Sequence, residues 1–117
     1  MARIEVMDGR DVLSDLAELG GDALLVIGTE ACGACRRARQ VLSGLSEAQL
    51  GGPGLRVVDV DALHAMGLVR DWEIEHLPGL ILVRDGEGWA RVMARLEPDA
   101  LAAAVRGARL GPSDPEL

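Results

Sequence analysis

Phenylalanine and tyrosine are absent from this 117-residue chain, and tryptophan occurs only twice. Leu, Val, Ile, Ala and Met must therefore fill the volume that aromatic rings take in most cores, and the platforms on which bases stack in nucleic-acid modules are missing. Lysine is absent as well. All twelve basic residues are arginine, and nineteen acidic residues outnumber them to give a formal charge of −7. With a pI near 4.7 the chain repels a phosphate backbone on average, which argues against nucleic acid as a partner. No run approaches the roughly 18 consecutive apolar residues of a membrane span. The opening Met1-Ala2-Arg3-Ile4-Glu5-Val6-Met7-Asp8 interrupts its apolar residues with charge, unlike a signal peptide. These absences point to a cytosolic protein without membrane contact.

What is present suits a folded domain: 49% hydrophobic and 26% charged residues in a chain long enough for one core and too short for two. Residues 3–7 alternate polar and apolar as a half-buried strand does, and residues 11–19 carry Val12, Leu13, Leu16 and Leu19 at helical spacing before Gly20-Gly21. Residues 23–27 form a continuous apolar run, the pattern of a central strand covered on both faces. From Cys32 onward the period is helical again. Cys35, Ala38, Leu42, Leu45 and Gln49 make one stripe, widened by Val41 and Ala48, with Gly44 inside it at a cost of about 1 kcal/mol relative to Ala. A turn over 50–54 leads into a strand over 55–60, and Asp61 is placed to cap a less regular helix from Ala62 to about Trp72. Residues 80–83 read as a buried strand that turns at Asp85-Gly86 into a second strand over 89–93. A last helix starts at Glu97-Pro98 and runs to about Gly107.

The organisation expected is a single domain over residues 1–110 and a flexible tail over 111–117. Strands joined through helices are expected to run parallel with right-handed crossovers, and the hairpin to add an antiparallel edge. The fold class is α/β, with a mixed central sheet flanked by helices on both faces.

Two cysteines are the whole thiol inventory, spaced as Cys32-Gly33-Ala34-Cys35. A reducing compartment disfavours a structural disulfide, and closing so short a loop constrains the unfolded chain very little. Cys35 heads the buried helical stripe, whereas Cys32 lies at the helix start, where backbone N–H groups lack intrahelical partners. One thiol is exposed and the other sheltered.

The Cys-X-X-Cys at a strand-to-helix junction, Val58-Asp59-Val60-Asp61, the run Trp72-Glu73-Ile74-Glu75-His76-Leu77-Pro78 and the strand ending in Asp85-Gly86-Glu87 together resemble the thioredoxin family, over roughly residues 3–108. The resemblance implies a thioredoxin-like fold and a thiol–disulfide oxidoreductase that reduces protein disulfides through a Cys32/Cys35 dithiol–disulfide cycle. Cys32 would be the attacking thiolate, its charge favoured by the helix dipole and free N–H groups. Cys35 would then break the mixed disulfide and release reduced substrate. Pro78 would be a cis proline beside the cysteines, and Leu77 would pair its backbone with the substrate. The implied partners are disulfide-containing proteins and a thioredoxin reductase; no cofactor is implied, and the chain is expected to be a monomer.

The chain departs from the family in identifiable places. Ala31 and Gly28 stand where thioredoxins usually carry tryptophan, and Val26 stands where they carry a buried aspartate that helps move the proton of the second cysteine. Gly33-Ala34 replaces Gly-Pro, and Gly79 follows the proline where threonine is common. His76 and Glu30 are the modulators available in sequence. An imidazole can accept a proton near neutral pH and its charged form favours a neighbouring thiolate, whereas a carboxylate opposes one.

Three function classes follow: a reductase, a thioredoxin-fold binding or chaperone module whose cysteines are incidental, and a metal-holding protein. Zinc on Cys32, Cys35, His64 and His76 has suitable ligand types, but the histidine spacing matches no usual finger pattern, so no metal is expected. Trp72 and Trp89 are read as packing residues, Arg36, Arg37 and Arg39 as a solvated face, and Asp59 and Asp61 as a strand end and a helix cap.

Overall fold

The computed structural model describes residues 2–117. The apolar run of the sequence becomes β2 (Asp22–Gly28), the middle strand of a five-stranded sheet ordered β1-β3-β2-β4-β5. Its neighbours are β3 (Arg56–Asp61) on one side and β4 (Gly79–Arg84) on the other. The edges are β1 (Ile4–Val6) and β5 (Glu87–Arg91). β1 and β2 pair with β3 in parallel, while β4 is antiparallel to both β2 and β5.

Alternation along β2 sends Leu24 and Val26 to one face, where they pack with Ala38 and Leu42 of α2 (Gly33–Ser43) and Leu101 and Val105 of α4 (Pro98–Leu110). Leu25 and Ile27 point to the other, against Val12 and Leu16 of α1 (Val12–Leu19) and against Ala62, Ala65 and Trp72 around α3 (Met66–Asp71). The mixed sheet covered on both faces is thus built as its pattern requires, with Trp72 as a buried packing residue. Trp89 is half-buried, its indole N–H donating to Gly111 O at 3.1 Å and the Arg84 guanidinium lying 4.3 Å over its ring.

Four features differ from the expectations. First, β4 follows a helix yet runs antiparallel to β2. A six-residue α3 spans only about 9 Å, less than half the roughly 20 Å of a six-residue strand. The chain therefore re-enters the sheet at the edge it left, with Gly79 paired to Ile27. Second, the helix after Asp61 is broken into a 3-10 turn (Ala62–His64) and α3. Asp61 does cap, accepting the Leu63 N–H at 2.9 Å, but Ala65 N–H bonds back to Ala62 O instead of continuing an α-helix. Third, α2 stops at Ser43, not near Gln49. Beyond Gly44, Ser46 and Gln49 exchange side-chain to backbone hydrogen bonds (2.8 and 3.2 Å) that compete with the helical pattern. Leu45 and Leu50 remain buried, so the apolar spacing serves packing without a helix.

Fourth, the segment read as a flexible tail is tied down. Asp114 N–H donates to Trp89 O at 2.6 Å, its carboxylate lies 3.8 Å from Arg91, and Leu117 packs against the core on the Trp72 face. Its partner is the outer edge of β5, which leaves no periodic trace in the tail's own sequence. The Asp85-Gly86 hairpin turn holds positive φ at both residues (53° and 82°), and a Cβ on Gly86 would stand 2.5 Å from that of Ala17. Glycine is required there to seat the hairpin on α1.

Candidate active site

β2 ends at Gly28, three loop residues follow, and Cys32 occupies the N-cap of α2. An N-cap side chain must accept one of the orphan N–H groups of the first turn; here the acceptor is sulfur. Cys35 N–H donates to Cys32 Sγ at 3.1 Å. The two cysteines are joined as a disulfide with Cα atoms 5.2 Å apart. Cys35 is 0% exposed, heading the buried face of α2, while Cys32 keeps part of its surface in solvent. Arg36 fixes the loop by donating to Glu30 O at 2.8 Å, leaving the Glu30 carboxylate in solvent.

Opposite the cysteines, the Leu77–Pro78 peptide bond is cis and the Leu77 carbonyl oxygen lies 3.8 Å from Cys32 Sγ. The topology causes this meeting, because β2 and β4 are antiparallel neighbours, so the residues following β2 and those preceding β4 share one edge of the sheet. A groove of about 390 Å³ runs from Pro78 past His76, Glu75 and Arg91 to the exposed Met93 and to Glu116 of the docked C-terminal segment. Of the residues singled out in the sequence, Cys32, Cys35, Leu77 and Pro78 thus share one edge, with His76 in the groove beside Pro78.

Glu30 lies elsewhere. It lines a second cleft, of about 470 Å³, on the Gly28 side of the cysteines together with Arg39, Asp59 and His64. His64 and His76 therefore occupy different depressions, and among the described residues no group of three or more His, Cys, Asp or Glu side chains is arranged to hold a metal ion. Val26 is fully buried beneath this region and carries no group able to accept a proton.

Two arrangements were not read from the sequence. Arg39 is not part of a solvated arginine face; its Nη1 donates to Asp59 Oδ1 at 3.2 Å, with both side chains largely buried. Asp59 does not end its strand, since β3 continues to Asp61, and its Cα is in register with Val26 on the neighbouring strand. The available signal was that Arg39 falls one turn after Cys35 on α2, unlike Arg36 and Arg37. The second is the contribution of Glu116 to the groove, which depends on the docking of the C-terminal segment.

The thioredoxin family model matches residues 13–107. No curated protein sequence matches the chain. Among solved structures, a point mutant of thioredoxin from Halobacterium salinarum superposes with a TM-score of 0.71 at 21% identity, covering 91% of this chain and 90% of that one. Trxlp from Edwardsiella tarda gives 0.68 at 22% identity, covering 88% and 98%. Oxidised mitochondrial thioredoxin 3 from Saccharomyces cerevisiae gives 0.69 at 19% identity, covering 88% and 93%. At these identities the likeness is one of fold.

Proposed function

Because the chain belongs to the thioredoxin family and carries a Cys-X-X-Cys disulfide pair, a setting that supports thiol–disulfide oxidoreductase activity, we propose that it reduces disulfides in other proteins. The observation that carries this reading is the asymmetry of the pair: Cys32 is reachable at the N-terminus of α2 and Cys35 is fully buried behind it. Cys32 as thiolate is favoured by the Cys35 N–H aimed at its sulfur and by the dipole of α2. It attacks one sulfur of the substrate, and the substrate's other sulfur leaves. Cys35, once deprotonated, attacks Cys32 Sγ, forming the internal disulfide and expelling the second substrate sulfur.

Leu77 and Pro78 form the substrate-docking edge in this reading, with the Leu77 backbone beside Cys32. His76 modulates Cys32 by its charge from the groove, and Glu30 opposes the thiolate from the other side. The physiological setting proposed is the cytosol, with the chain acting as a monomer on disulfide-bearing proteins and re-reduced by a thioredoxin reductase. No described helix is long and apolar enough to cross a membrane.

The test is reduction of insulin with dithiothreitol as the electron source. The intact chain should accelerate precipitation of the freed insulin chain, and Cys32→Ser should abolish the acceleration. A rate no greater than that of dithiothreitol alone would overturn the reductase reading and leave the binding-module alternative, for which the missing tryptophans at 28 and 31 speak.

A further inference from the structure

Cys35 must lose a proton before it can resolve a mixed disulfide, yet its sulfur is fully buried, and burial without a compensating charge opposes the thiolate. Val26 provides no acceptor. The groups around the sulfur on the Gly28 side decide how the chain copes. A Cβ placed on Gly28 would stand 2.5 Å from Cys35 Sγ and 3.9 Å from Arg39 Nη1. The sulfur and the guanidinium thus both border the same point at Gly28, and a cation this near a thiol favours its ionisation. Any side chain at this position would collide with the Cys35 sulfur, so glycine is what lets the sulfur lie this close to the strand end with the arginine alongside.

Arg39 is held there by its neighbours. It lies one helical turn beyond Cys35, so the two side chains stand on the same face of α2. Asp59 reaches it from β3 at 3.2 Å, and the two side chains are only 21% and 26% exposed, so the ion pair is poorly screened by water. The remaining charged groups of the cleft are committed elsewhere or turned outward. Arg10 is paired with Asp8 at 2.8 Å, Asp61 caps Leu63, and Glu30 and His64 are exposed. Arg39 is the cation of this cleft that borders Gly28 together with the buried sulfur.

We propose that Arg39 is the charge partner of Cys35, stabilising its thiolate during the resolving step, and that Asp59 positions the guanidinium. The family's device of a buried carboxylate that takes the proton is replaced by a buried-side cation that makes the proton easier to lose. The thiol proton is released to solvent. The thiolate then attacks Cys32 Sγ, the Cys32–Cys35 bond forms as the Cys32–substrate bond breaks, and the substrate sulfur leaves with the electron pair and takes a proton from solvent. The dithiol is oxidised by two electrons and the substrate disulfide reduced by two. This inference rests on the redox reading above only for its use in turnover; the ionisation it describes can be measured without any substrate.

In a Cys32→Ser protein, Cys35 is the single thiol, and its thiolate absorbance can be followed against pH. Adding Arg39→Gln should raise the titration midpoint by about one pH unit, and Arg39→Lys, which keeps the charge, should restore most of the shift. In the protein with both cysteines, Arg39→Gln should slow single-turnover reduction of a peptide disulfide about threefold at pH 7, since the tenfold loss of thiolate is partly offset by the greater nucleophilicity of a more basic sulfur. An unchanged midpoint in Arg39→Gln, or a shift in Arg39→Lys as large as that in Arg39→Gln, overturns the proposal. If the intact chain reduces no disulfide at all, the function fails while the titration still decides the role of Arg39.

Discussion

At the scale of single residues, the two sulfurs divide by access and by the N–H group that only one of them receives. Cys35→Ser should trap mixed disulfides with substrate proteins, because Cys32 attacks and nothing then resolves the bond, whereas Cys32→Ser should trap almost none. Non-reducing gels after a pulldown read the difference, and equal trapping by the two variants would remove the division of labour. The flanking modulators separate by sign. His76→Ala should move iodoacetamide reactivity of Cys32 to higher pH, and Glu30→Gln should move it lower or leave it in place; a His76→Ala profile that superposes on the unmutated one would reduce the imidazole to a loop residue. The cysteines, Leu77 and Pro78 were legible as candidates because a short motif marks them. Arg39 was not, because its meaning depends on the neighbouring strand: Asp59 shares a register position with Val26 only once the parallel pairing is known.

At the scale of elements, Asp22 is the clearest tie between layers. From the start of β2 it accepts hydrogen bonds from Arg84 on β4 at 2.7 Å and from Arg109 at the end of α4 at 3.1 Å, with only 12% of its side chain exposed. Arg109 continues to the carbonyls of Leu50 and Gly52 in the loop before β3. The Arg84 hydrogen bond first, and the Arg109 bond after the opposing effect of burial, hold the Asp22 carboxyl below its ordinary 3.8. A carboxylate depressed in the folded state contributes stability above its unfolded pKa and loses it as pH falls through the folded value. Asp22→Asn should therefore cost roughly 1–3 kcal/mol at pH 7. The gap to the unmutated chain, read from urea midpoints, should be constant from pH 7 to 5 and shrink as pH falls below about 4. A gap independent of pH down to 3 would contradict the assignment. None of this network shows in the sequence, whose periodicity located the strands and the main helices but not the direction of β4, the break between the 3-10 turn and α3, or the end of α2. Those depend on connection lengths and on side chains that compete with the backbone.

At the scale of the whole molecule, two faces of one sheet are filled almost entirely by aliphatic side chains, as the shortage of aromatic residues required. The order of apolar runs made the two-faced sheet readable; the docking of residues 112–117 was not, because the attachment is made by the edge of β5 and by Trp89. That attachment has a colloidal consequence. An open strand edge is a template on which a second molecule can add its own backbone, and here the chain spends its own terminal segment on covering it. Removing residues 112–117 should leave the fold and the cysteine pair in place but make light scattering rise with protein concentration more steeply than it does for the full chain. A truncated protein that stays dispersed at every concentration reached by the full chain would show that β5 is shielded by other means. With that segment present, the Trp89 carbonyl on the outer edge of β5 already has its donor within the same molecule, and a second strand would have to displace Asp114 to pair there.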